Sequence, residues 1–142
     1  MLLVDARGVP LSIIVSAANR HDITQLVATL DAIVVPRPAV RTGARQHLCA
    51  DAGFVGQQAY QDMLERDYTP HVRPRGEESK AKLQGQRARR WVVEVAHSWF
   101  TRFRKLLVRY EKTDRSYIAL NMLAAAMIAF RKVPAKVNII YG

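Results

Sequence analysis

One cysteine among 142 residues, Cys49, leaves no internal disulfide and no cysteine-rich zinc site to be built. Its setting, His47-Leu48-Cys49-Ala50, reads as a buried strand, and a lone thiol points to a reducing, intracellular compartment. Long apolar runs are also lacking. The most apolar stretch, Ile118 to Phe130, falls well short of the roughly 20 residues that span a bilayer. Met1-Leu2-Leu3-Val4 has no basic flank and is cut short by Asp5, which argues against a signal peptide. A soluble chain that does not span a membrane is therefore expected. Glycine-rich phosphate loops, zinc-finger spacings and a supported Ser/His/Asp order are missing, and the enzyme classes that need them drop out.

Acids are scarce too. Twelve Asp+Glu stand against 22 Lys+Arg, a formal net charge of +10. Such a surplus favours a polyanionic partner, because basic side chains that neutralise phosphates release condensed counterions. Nucleic acid is the first candidate, and an anionic membrane surface is the competitor. Between Arg73 and Lys112 there are 12 Lys+Arg and four Asp+Glu, so most of the surplus sits in this one region.

What is present is enough apolar material, 49%, for one compact core, and the length suits one domain or part of one. Two apolar runs, Met1 to Val4 and Leu11 to Val15, flank Asp5 and Gly8 and predict two strands joined by a tight turn. A helix is expected over about residues 23 to 33, with Asp22 as its cap, Gln25 at the capping-box position, and Leu26, Leu30 and Ile33 on one face. Val35 to Gln46, with two prolines and three arginines, reads as an exposed basic loop. Gln46 to Ala50 reads as a strand, Gln57 to Arg66 as a helix burying Ala59, Tyr60, Met63 and Leu64, and Thr69 to Arg73 as a second strand. A polar loop to about Gln86 follows. Val92, Val95, Ala96, Trp99, Phe103 and Leu106 recur at helical spacing and predict one amphipathic helix from about Arg87 to Leu107. A last helix, Tyr117 to Arg131, is apolar almost all round and is expected to be buried on most sides, with a loose tail from about residue 133. Strands followed by helices make an α/β or α+β layer arrangement.

Two acids stand out. Asp51 ends a predicted strand before the Gly53 turn, a place where ligand and metal groups sit in α/β sheets, although an aspartate there can equally cap the next helix. Glu94 is the one acid between Ser79 and Tyr110 and shares a helix face with Arg90, His97, Thr101 and Lys105. It can be a solvated partner of Arg90, or a hard oxygen ligand for a divalent ion among phosphate-binding cations. His97 beside Trp99, and the His21-Asp22 pair, are ambiguous in the same way. His47 and His71 have no usable spacing.

Read in order, Leu3-Val4-Asp5-Ala6-Arg7-Gly8-Val9-Pro10-Leu11, Ala18-Asn19-Arg20-His21-Asp22, Ala50-Asp51-Ala52-Gly53-Phe54, Arg90-Trp91-Val92-Val93-Glu94, then Arg102-Phe103-Arg104-Lys105-Leu106 and Arg109-Tyr110-Glu111 resemble the insertion-sequence-five group of bacterial DDE transposases. The resemblance is collinear over almost the whole chain. It implies a partial RNase H-like α/β fold: strands and catalytic helix over about residues 1–112, a buried helix over about 113–132, and a tail at 133–142. It also implies metal-dependent strand cleavage and transfer on DNA, with two aspartates and a glutamate holding two Mg²⁺ or Mn²⁺ ions. Asp51 matches the second aspartate and Glu94 the glutamate. Asp5 matches a turn, so the first strand and its aspartate are expected to lie upstream, and an upstream transposase polypeptide or a second copy is the implied partner. Arg90, Arg102, Arg104, Lys105 and Arg109 are the implied contacts to transposon-end DNA, and the implied setting is the bacterial cytoplasm, on the nucleoid. Arg87 stands where related glutamate motifs carry Tyr, Thr101 where they carry Lys, and Val95 where they often carry Arg.

Overall fold

The structure is a computed structural model and describes residues 1–17, 19–38, 45–74 and 91–132. Leu2–Val4 (β1) and Pro10–Ile13 (β2) pair antiparallel, with Leu2 opposite Ile13 and Leu3 opposite Ser12. Their turn closes because Asp5 Oδ1 accepts from the N–H groups of Arg7 and Val9, each at 2.8 Å, while Gly8 takes φ +78°. A short acceptor side chain and a residue without Cβ are what such a turn asks for.

After β2 the chain enters a 3-10 turn, Asp22–Gln25, that runs into α1, Leu26–Asp31. The cap expected of Asp22 is not made. His21 holds the capping position with no side-chain bond, and the Gln25 amide donates to Thr24 Oγ1 at 3.0 Å instead of reaching back to the backbone. The tighter 3-10 pitch makes Asp22 a member of the turn and not the residue ahead of it. Leu26 and Leu30 are buried as their spacing predicts. Ser12 ties β2 to α1 by donating to Thr29 O at 2.6 Å.

Gln46–Ala50 (β3) and Tyr68–Val72 (β4) pair parallel, joined by a 3-10 turn, Ala52–Phe54, and α2, Gln57–Leu64. Parallel neighbours need such a crossover. Leu48, Ala50, Tyr68 and Val72 point into a core with Leu26, Leu30, Phe54, Ala59 and Met63. The pleat sends alternate residues to the other face, so His47, Cys49 and His71 are exposed. This corrects the expected burial of Cys49: Leu48, and not its neighbour, faces inward. Leu64, expected inside, is likewise 46% exposed, because Ala59 and Met63 already fill the buried stripe of α2.

The single helix expected up to Leu107 is broken. Within the described residues α3 spans Trp91–Phe100 and α4 spans Arg104–Leu107. The hydroxyls of Ser98 and Thr101 donate to Val95 O and Ser98 O, the amides of Arg102 and Phe103 reach only three residues back, and Phe103 is extended at φ −82°, ψ 102°. Side-chain bonds of this kind compete with the helical ladder, and the bend lets Phe103 and Leu106 join a second core around Phe100, Ala124 and Ile128.

The last helix, α5, runs Asp114–Lys132 and starts three residues earlier than its apolar pattern suggests, because Thr113 Oγ1 accepts from Ser116 N. It buries one face, with Asn121, Ala124 and Ile128 inside, and leaves Leu123 57% and Phe130 81% exposed. The expectation of burial on most sides is not met among the described residues, where β2, α3 and α4 are the main elements packed against it. Leu3 faces the first core while Leu2 and Ile13 face the second, so the β1–β2 hairpin lies between the two.

Candidate metal and nucleic-acid site

Asp51 stands at the C-terminal end of β3 and caps the 3-10 turn behind it, its Oδ1 accepting from Gly53 N at 2.8 Å. The two readings of this aspartate are thus compatible, since one oxygen shapes the turn while the carboxylate as a whole stays exposed. A Cβ on Gly53 would lie 3.0 Å from that same oxygen, so the middle residue of the turn leaves Asp51 the room to hold its position.

Glu94 lies in the first turn of α3, exposed, on the helix that packs against β1. Asp51 and Glu94 therefore hang from different elements, the parallel pair and the hairpin-bound helix. Among the described residues no group of three or more His, Cys, Asp or Glu is gathered so as to hold a metal. The two carboxylates are hard oxygen donors of the kind Mg²⁺ takes, but two such residues leave a two-ion site short of ligands.

The turn that begins at Asp22 packs against the turn that follows Asp51. Asp22 also lines a cleft of about 430 Å³ with Arg20, His97, Thr101 and Tyr117. His97 is one helical turn beyond Glu94 and keeps part of its ring exposed, and partial burial in this cleft lowers its imidazole pKa below the ordinary 6.5, with the amino terminus adding to the same direction. Spacing along the chain does not reveal this cleft. The capping pattern made Asp22 look structural, and nothing in the spacing joined it to His97.

The expected phosphate contacts divide into groups. Arg102, in the bend, and Arg104 and Lys105, in α4, are all exposed and close in sequence on one short stretch. Arg109 is exposed but already held: its guanidinium bonds Asp114 and lies 5.0 Å over the Tyr117 ring. Arg90 lies outside the described residues. Arg37, from the expected basic loop, is a structural residue, donating to Gln46 Oε1 and stacking 4.0 Å over Tyr68; residues 39–44 of that loop, the polar loop from residue 75 to about 86 and the tail from 133 also lie outside the described residues.

The family model of the transposase DDE domain matches residues 1–129. The chain belongs to that family. A Burkholderia cepacia protein named as a transposase for insertion sequence element IS402 is 32% identical to this DDE-domain chain over 136 residues, 91% of the chain. The match covers 61% of that relative's length. No solved structure matches. The recognised transposase resemblance is thereby shown, and the mixed α/β architecture agrees with it. No helix among the described residues is long and apolar enough to cross a membrane.

Proposed function

We propose that this chain works in DNA transposition as part of the catalytic domain of an insertion-sequence transposase, with Asp51 and Glu94 as ligands of Mg²⁺ or Mn²⁺. The observation that carries this reading is the placement of Asp51. Its carboxylate is exposed at the C-terminal end of a parallel strand, where open α/β sheets present their ligand groups, in a chain matched by the DDE-domain model over residues 1–129. Ions held there would polarise phosphate oxygens and lower the pKa of an attacking water or 3′-hydroxyl. The cations of Arg102, Arg104 and Lys105 bind and orient the phosphate backbone, and Arg90 and Arg109 are further contacts of the same kind.

Two carboxylates are too few for the implied pair of ions, so the proposal includes a third from outside these residues. It would arrive on a strand completing the RNase H-like sheet, from an upstream polypeptide or another copy. Among the described residues each strand has a single neighbour, and β1 and β3, both packed on the first core, each keep an edge on which such a strand can pair. A DNA-bound protein of this kind would sit on the nucleoid in the cytoplasm.

The decisive experiment is cleavage and joining of element-end DNA in Mg²⁺ or Mn²⁺ by the chain alone and mixed with the polypeptide encoded upstream. Activity in the mixture alone, abolished by Asp51→Asn or Glu94→Gln, is the expected result. DNA binding that survives both substitutions with no activity in any mixture would instead mark a non-catalytic regulator that occupies transposon ends or joins intact transposase.

A further inference from the structure

The solvent face of the parallel pair carries a cluster that the transposase reading does not use. His47 and Cys49 are two apart on β3 and so share a face, and Cys49 stands opposite His71 on β4. His47 Nδ1 and His71 Nε2 lie 2.6 Å apart, with ring centroids 4.7 Å apart and planes inclined by 43°. Both imidazoles are exposed, yet two of their nitrogens converge on one point. At most one proton can sit between them. A metal ion satisfies both lone pairs.

We infer that His47 and His71 form a two-imidazole clamp for a divalent transition metal such as Zn²⁺, on the face of β3–β4 away from the core. Zn–N bonds of about 2.0–2.1 Å at a tetrahedral angle place the two nitrogens about 3.3 Å apart. Opening the observed pair by under about 1 Å takes only small rotations of two exposed rings. Imidazole selects Zn²⁺, Cu²⁺ or Ni²⁺ over Mg²⁺, which separates this site chemically from Asp51 and Glu94. Water fills the remaining positions, and the Cys49 thiol on the same face adds to the soft character of the surroundings. Because the clamp runs diagonally from His47 near the start of β3 to His71, level with Cys49, on β4, occupancy ties the two strands together across the pair.

Calorimetric titration of the metal-free full chain with Zn²⁺ tests this. One equivalent should bind, raise the melting temperature, and resist displacement by excess Mg²⁺. His47→Gln and His71→Gln should each weaken binding at least about tenfold while melting like the parent without metal. In the unaltered protein, the imidazole NMR signals of His47 and His71 should shift on adding Zn²⁺ while those of His21 and His97 stay in place. No binding, equal binding by both variants, or shifts confined to His21 and His97 would overturn the inference.

Discussion

The ammonium of Lys132 sits 3.8 Å over the Trp99 ring and bonds the Arg7 carbonyl, so the C-terminal end of α5 and the tip of the hairpin close on one indole. Gly8 makes this possible. A Cβ there would lie 3.4 Å from two Trp99 ring atoms, and the backbone is already in the left-handed region at φ +78°. Gly8→Ala adds a left-handed penalty of about 1–2 kcal/mol before any steric cost. Thermal denaturation should show a melting temperature several degrees lower; an unchanged value would mean the hairpin tip is not held as described. His97 sets a pH dependence on the same scale. Its folded imidazole is below the ordinary 6.5, chiefly because burial disfavours the cation, so the folded state binds fewer protons than the unfolded state in that range. The stability is fully present above 6.5 and falls away as pH drops through that value toward the lowered one. Arg20, Asp22 and the amino terminus border the same cleft. Melting curves at about pH 7.5 and about pH 5.5 should differ for the parent, and the difference should shrink in His97→Gln.

Single elements show where the sequence was legible and where it misled. Strands β1 to β4 and helix α2 lie within a few residues of their expected bounds, because alternation and short apolar runs between Gly, Asp and Pro are strong local signals. The break between α3 and α4 was hidden. Phe103 and Leu106 keep helical spacing from Trp99 even though the chain bends, and only the hydroxyls of Ser98 and Thr101 hint at it. For α5, apolar content predicts burial, but burial requires neighbours, and among the described residues Met122, Leu123, Met127 and Phe130 stay exposed. In the candidate site, Asp51 was legible from its strand-end position, whereas the Asp22–His97 cleft was not, because it joins residues 75 positions apart on separate elements. Two substitutions test the element boundaries. Thr113→Ala removes the acceptor at the start of α5 and should cost about 1 kcal/mol, read as a lower denaturant midpoint. Met63, fully buried on α2 against β4, should cost about 2–5 kcal/mol as Met63→Ala. A loss under about 1 kcal/mol there would show that the first core can close over the cavity.

At the scale of the whole molecule the charge is not spread evenly, and that unevenness makes DNA binding testable apart from catalysis. The net +10 is concentrated after Arg73, and the described part of that region puts Arg102, Arg104 and Lys105 in solvent on the bend and the short helix α4. Each cation that neutralises a phosphate contributes roughly 0.9 to the slope of log affinity against log salt on duplex DNA. If these three side chains all reach the backbone, the triple alanine variant should bind duplex DNA with a slope lower by up to about 2.7. It should do so on any sequence, since phosphate contacts carry no base information. Arg109 should contribute less, because Asp114 already pairs with it and its guanidinium lies over the Tyr117 ring. Fluorescence anisotropy across a salt series, with Arg109→Ala alongside, separates these cases. A triple variant with the parental slope would remove α4 from the DNA interface, and would leave the residues from Arg73 to Arg90 as the place where the polyanion is held.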